Sequence, residues 1–180
     1  MSTVVMTVIG PDRPGLVDRL SALIAEQGGN WERSEVARLA DRFAGVVVVT
    51  IDESRADSLI QALAAFDAEG LLHVTAERSD VSDVNVAGSF VKMEVTGHDR
   101  PGIVQEISHV LALAGVSIER LETDTLSASQ SAELLFSAKA LLAVPPDVDQ
   151  SELRESLESL SNELMIDFAD AHEAHTAAVD

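Results

Sequence analysis

Between residues 89 and 97 apolar and polar side chains alternate. Val91, Met93 and Val95 are separated by Lys92, Glu94 and Thr96. A period of two marks a strand with one buried face, so the first set points to a core. The period then changes. Ile103, Val104, Ile107, Val110 and Leu111 recur at the i, i+1, i+4, i+7, i+8 spacing of one apolar helical stripe. The same two periods stand earlier in the chain. There Val4, Met6 and Val8 predict the strand, and Leu16, Val17, Leu20, Leu23 and Ile24 predict the helix. Gly28 and Gly115 follow the two helices, where glycine takes the left-handed C′ conformation without a Cβ clash.

After each helix the pattern predicts a strand pair, 30–39 with 44–51 in the first half and 117–126 with 132–144 in the second. The Val46-Val47-Val48-Val49 run is β-branched throughout, and the turn at 127–131 is polar. A second helix is expected over 54–66 and over 151–164. Its stripe in the second half is Leu153, Leu157, Leu160 and Leu164, and Pro145-Pro146 forces a break before it. Segments 71–77 and 165–169 close each half as a fourth strand. The order β-α-β-β-α-β is that of the ferredoxin-like split βαβ unit, an α+β fold. Each copy is expected to form a four-stranded antiparallel sheet with both helices on one face.

The two halves are copies of one another. Residues 4–33 laid over 91–120 without a gap share 14 identities in 30, whereas unrelated segments share about two. The expected organisation is a first module over 1–80, a linker over 81–88, a second module over 89–170 and a frayed tail over 171–180.

Charge narrows the partners. The chain carries 12 basic and 31 acidic side chains and a net charge of −19. Residues 1–87 have 7 basic and 14 acidic groups, and residues 88–180 have 5 and 17. Neither half offers the cationic face that phosphate backbones or anionic lipids require, and six aromatic residues are too few for a base-stacking platform. Direct nucleic-acid or membrane binding is therefore not expected. There is no cysteine, which fits a reducing compartment. The N-terminus lacks a basic n-region and Pro11 interrupts its apolar stretch, so a cytoplasmic location is expected.

Candidate chemistry lies in Asp-Arg-Pro-Gly, which stands between strand and helix in both copies. Asp12 or Asp99 can cap the helix, and Pro14 or Pro101 suits its first turn. Gly15 and Gly102 admit close approach to the backbone, and unpaired N–H groups at a helix start suit a small carboxylate. A well-made tight turn explains the same residues equally well.

Gly-x-Asp-Arg-Pro-Gly at the end of a first strand, inside βαββαβ units of this size, resembles the ACT domain, a module that binds amino acids. Two such units in tandem resemble the glycine cleavage system transcriptional repressor family, over residues 3–77 and 90–170. The resemblance implies a site between paired modules, built from the first strand-helix loop and the first residue of the second strand. In copy one these are Gly10, Asp12, Arg13, Pro14, Gly15 and Asn30. In copy two they are Gly97, Asp99, Arg100, Pro101, Gly102 and Ser117, with His98 entering the loop where Pro11 stands in the first. A solvated loop histidine accounts for His98 as well. The implied ligand is a small amino acid such as glycine or serine. The implied partner is a protein such as a transcriptional activator, and a homodimer is possible on the same grounds. The alternatives are a free-standing sensor that regulates an amino-acid enzyme and a pairing module without ligand.

Other constellations are weaker. His172-x-x-His175 has a helical spacing but no second ligand pair, and a structural metal site needs four fixed ligands. No Walker-type phosphate loop or nucleophile elbow occurs. The two modules occupy the residues in hand and leave none for a catalytic domain, so neither enzyme activity nor a cofactor is expected.

Overall fold

A computed structural model describes residues 1–68, 70–79, 88–127, 134–160 and 164–171. The chain divides into two compact units, Met1–Val84 and Asn85–Asp180. In unit 1 the elements are β1 (Ser2–Pro11), α1 (Leu16–Glu26), β2 (Asn30–Leu39), β3 (Arg42–Ile51), a 3-10 turn (Glu53–Arg55), α2 (Ala56–Ala68) and β4 (His73–Ser79). Unit 2 has β5 (Ser89–His98), α3 (Ile103–Leu113), β6 (Ser117–Ser127), β7 (Leu134–Val144), α4 (Gln150–Glu158) and β8 (Met165–Asp170). Each unit is a four-stranded antiparallel sheet, ordered β2-β3-β1-β4 and β6-β7-β5-β8.

Alternation along the first strand decides which face is covered. Val4, Met6 and Val8 are fully buried, beside Val49 and Val47 of β3 and Val74 of β4. Leu16, Leu20 and Ile24 of α1 and Leu59 and Leu63 of α2 join the same cluster, so both helices lie on one face. Each such side chain contributes about 1.5–3 kcal/mol on burial. Unit 2 repeats the arrangement with Val91, Met93 and Val95 under Ile103, Ile107 and Leu111 of α3 and Leu153 and Leu157 of α4.

The helix ends follow the expected glycines. Gly28 has φ +79°, its N–H donates to the Ala25 carbonyl, and the Gly29 N–H donates to Ile24, both at 2.9 Å. Gly115 and Val116 make the same pair of bonds to Ala112 and Leu111. Both ends are Schellman motifs, which satisfy two orphan carbonyls each.

Some expectations shift. The helical stripe is narrower than its spacing implied, since Val17 and Val104 are 44% and 42% exposed on the shoulder of each helix. β3 starts at Arg42, because Ala40 and Asp41 take φ of +46° and +61° and close a two-residue hairpin of type I′. α4 ends at Glu158, and Leu164 is buried ahead of β8. Residues 128–131 of the polar turn, and His172-x-x-His175, lie outside the described residues. No described helix is long and apolar enough to cross a membrane.

The edge strands β2 and β6 carry a bulge at the same place, between Trp31 and Arg33 and between Ile118 and Arg120. The Glu-Arg dipeptides 32–33 and 119–120 are identical in the two copies. A bulge adds one residue and re-aims the strand beside it, here at Glu32 and Glu119, two positions after Asn30 and Ser117.

Candidate functional site

The β1–α1 loop is fixed at both ends. Gly10 is buried, and a Cβ on it would lie 2.5 Å from the Leu71 carbonyl oxygen and 3.0 Å from Leu72 Cδ2. Its glycine is therefore demanded by packing against the segment that leads into β4. Gly15 is different. It has φ +86° as the helix N-cap, and no heavy atom lies within 4 Å of a Cβ placed there. Gly102 is likewise the N-cap, with φ +90°, and a Cβ on it would meet only Glu106 Oε1, at 3.8 Å.

Because the glycine is the N-cap, the aspartates are not, and neither helix has a side-chain cap. Pro14 and Pro101 accordingly precede the cap instead of entering the first turn. Asp12 is instead held by the β2–β3 hairpin. Its N–H donates to the Asp41 carbonyl at 3.1 Å, and Arg38 Nε lies 3.1 Å from its Oδ2. The Asp99 N–H donates to the Leu134 carbonyl at 2.9 Å. Each loop is thus tied to the neighbouring strands of its own sheet, leaving the stretch from arginine to glycine at the surface.

The two loop arginines differ. Arg100 makes a two-pronged bond to Glu106, with Nη1–Oε1 2.7 Å and Nη2–Oε2 2.5 Å. Arg13 is exposed and has no ion pair among the described residues. The cause is one position of the repeat. The residue 87 before Glu106 is Arg19, a cation that cannot draw Arg13 back onto its helix. Arg19 lies over the Phe66 ring, 5.6 Å from its centroid. The periodicity that revealed the modules passes over Glu106, and only the comparison of copies at this position exposes it.

The hydrogen bond from Arg100 holds the Glu106 carboxyl below the ordinary glutamate range; desolvation opposes it, and the charge of Arg100 adds a smaller lowering. A depressed folded-state pKa means that the pair's contribution is present above the unfolded pKa. It is lost as pH falls through the lower folded value. In a carbon-detected NMR titration, Glu106 should show a midpoint below that of exposed glutamates, and Arg100→Ala should raise it toward theirs. A Glu106 midpoint unmoved by Arg100→Ala would mean that the two groups are not paired in solution.

Asn30 and Ser117 are exposed at the first positions of β2 and β6. Within a module they lie at the far end of the sheet from the loop. Asn30 pairs with Thr50, which pairs with Thr3, whereas Gly10 pairs with Phe43. From Thr3 to Gly10 at about 3.3 Å per residue is roughly 23 Å. The structure therefore gathers Gly10, Asp12, Arg13, Pro14 and Gly15 at one end of unit 1 and leaves Asn30 at the other. Unit 2 divides Gly97, His98, Asp99, Arg100, Pro101 and Gly102 from Ser117 in the same way. Gly97 is buried, while His98 sits exposed on the uncovered face of the sheet.

In unit 2 the loop borders an open depression of about 570 Å³, floored by Phe136, Ile103 and Val104 and edged by Arg100, Ser108 and Thr125. Ser108 and Thr125 belong to this surface but carry no signal in the sequence. Among the described residues no three His, Asp or Glu groups cluster as a metal would need.

Two βαββαβ units, each with a glycine-started helix behind an Asp-Arg-Pro-Gly loop, define a tandem regulatory-module architecture. The ACT domain family model matches residues 2–76 and 90–169, and the chain belongs to the ACT domain family. Relatives span both modules. The glycine cleavage system transcriptional repressor of Escherichia coli is 21% identical over 160 residues, covering 89% of this chain and 84% of that protein. A protein of unknown function from Galdieria sulphuraria has a crystal structure that aligns with TM-score 0.80 and 28% identity, over 94% of this chain and 98% of its own. A candidate glycine cleavage system transcriptional repressor of known structure aligns with TM-score 0.72 and 18% identity, over 94% and 98%, which is a likeness of fold. The UPF0237 protein MK1213 of Methanopyrus kandleri is 43% identical over 54 residues, 30% of this chain. The match spans three-fifths (60%) of that protein's length.

Proposed function

We propose that this chain is a cytoplasmic amino-acid sensor that controls transcription of the glycine cleavage type through a protein partner, without touching DNA itself. The observation that carries the reading is the unit 1 loop. Arg13 is exposed beside the N-terminus of α1 and makes no ion pair among the described residues, although Asp18 stands in the first turn of that helix. An amino acid's carboxylate there meets a guanidinium and the positive end of a helix together. The α-ammonium group calls for an acceptor, and the side-chain amide of Asn30 offers one. One small amino acid cannot span roughly 23 Å, so a site that uses both takes the loop from one module and the β2 start from a second. The relationship to the Escherichia coli repressor supports the regulatory reading, and the net charge of −19 supports control through a protein.

Titration calorimetry of the whole chain with glycine, serine and the branched-chain amino acids tests this. Binding of glycine or serine is expected, and Arg13→Ala should weaken it about 10–150-fold, the effect of losing a hydrogen bond to a charged group. Absence of binding by every amino acid in the panel would overturn the sensor reading.

A further inference from the structure

The helix pair of unit 1 is stapled shut at one end. Gln27, just past α1, accepts a hydrogen bond from Ser58 Oγ through its side-chain Oε1 at 2.8 Å. Its carbonyl accepts from Arg55 Nη1 at 3.4 Å. Unit 2 has lost the staple. Ala114 stands 87 residues after Gln27, and Leu113 stands where unit 1 has Glu26. Among the described residues no side-chain hydrogen bond joins α3 to α4. A groove of about 550 Å³ lies between these helices instead.

The groove combines an apolar floor with an acidic rim. Val110, Val148 and Leu160 are half-buried along it, and Leu113 is 76% exposed at its lip. Asp147, Asp149 and Glu152 stand on the rim, and among the described residues no Lys, Arg or His lines it. Asp149 is held there because it caps α4, accepting from the Ser151 N–H at 2.7 Å. The nearest cation of α4, Arg154, is turned to β8, where Nη1 donates to the Ile166 carbonyl at 2.7 Å. An exposed leucine beside carboxylates with no counter-charge calls for an occupant that is apolar on one side and cationic on the other.

Charge decides which occupant. Residues 171–180 contain Glu173 and Asp180 and no Lys or Arg, so the chain's own tail does not supply the cations. A second copy offers no basic helix, since α1, α2, α3 and α4 each carry more acidic than Lys or Arg side chains. We infer that the α3–α4 groove of unit 2 is the docking surface for a basic amphipathic helix of a protein partner. α4 has nine residues and offers about 13 Å, enough for two to three turns of such a helix. This is the helix-in-groove mode, with apolar anchors at i, i+3 and i+4. The inference rests on the partner-mediated reading above and gives that partner its contact surface.

Two synthetic amphipathic peptides of about 14 residues test it, one with a leucine face and a lysine face, the other with glutamate for every lysine. Each is titrated into the isotope-labelled full chain and followed by backbone amide shifts. The lysine peptide is expected to shift residues 110–114 and 147–160, and the glutamate peptide to shift nothing. Leu113→Ser should weaken the lysine peptide by about tenfold or more, since it removes the exposed apolar anchor and leaves the charge of the rim unchanged. The double variant Asp147→Lys/Glu152→Lys should do the same through charge alone, leaving the Asp149 cap in place. Leu113 is exposed, so its variant stays folded, and calorimetry with glycine and serine on it reads the loop site separately. Lost peptide binding with retained amino-acid binding supports the groove. Shifts scattered over other acidic surfaces, equal binding of both peptides, or indifference to both variants would overturn it, whatever the amino acids do.

Discussion

Asn30→Ala should weaken amino-acid binding about 10–150-fold and leave the chain folded. The range follows from 1.5–3 kcal/mol for a lost hydrogen bond to a charged ligand group. Folding is spared because Asn30 is exposed and its backbone, paired with Thr50, is untouched by the change. Ser117→Ala should cost much less, since a hydroxyl is shorter than an amide and offers one donor instead of two. The loop of unit 2 adds a second reason, because Arg100 already spends its two-pronged contact on Glu106. Calorimetry on the two variants decides between them. Equal losses would mean equivalent sites, and an unaffected Asn30→Ala would put the site elsewhere. A double-mutant cycle with Arg13→Ala goes further. Arg13 and Asn30 of one module lie at opposite ends of its sheet, so they couple only if one ligand bridges two modules.

Most of the fold was legible because it rests on periods that burial enforces. Val4, Met6 and Val8 alternate with partly or fully exposed residues, and a slip of one position would turn the whole strand inside out. Gly28 and Gly115 announced their helix ends because a left-handed residue is needed there in both copies. The hairpin at Ala40-Asp41 was less legible. Neither residue is glycine, and the positive φ at both is imposed by the twist of β2 and β3.

The candidate site was legible as a loop and not as a geometry. Asp-Arg-Pro-Gly fixed its place, but its internal bonds depend on conformation. With Gly15 at φ +86° as the cap, Asp12 is three residues too early to serve α1 and falls to Arg38 and Asp41 on the hairpin. The Arg100–Glu106 pair spans six residues from a loop, across a left-handed glycine, into a helix, so no single period along the chain predicts it. Separation of Asn30 from the loop follows only from the pairing of β1, β2 and β3, which comes with the whole sheet.

The glycines of the unit 1 loop look alike in sequence and should respond differently to one methyl group. Gly10→Ala places its Cβ 2.5 Å from the Leu71 carbonyl oxygen and 3.2 Å from Leu72 Cα, both backbone atoms that cannot rotate away. The end of β1 must then part from the segment entering β4, where Leu72 is buried. Overpacking of this kind costs about 1–3 kcal/mol. For a module of this size that lowers the melting temperature by roughly 4–8 °C per kcal/mol. The loss should be confined to unit 1, whose core is a separate cluster from that of unit 2. Hydrogen exchange should therefore report faster opening in β1, β3 and β4 and leave β5, β7 and β8 unchanged. Gly15→Ala meets no atom within 4 Å and bears only the strain of a non-glycine residue at φ +86°, of order 1–3 kcal/mol, at an exposed loop that can relax. Its effect on stability should be the smaller of the two, while its effect on amino-acid affinity should be the larger, because the methyl group stands where the ligand approaches. If instead Gly10→Ala proved as stable as the parent chain and weakened binding selectively, Gly10 would belong to the ligand site and not to the packing of β1 against the entry to β4.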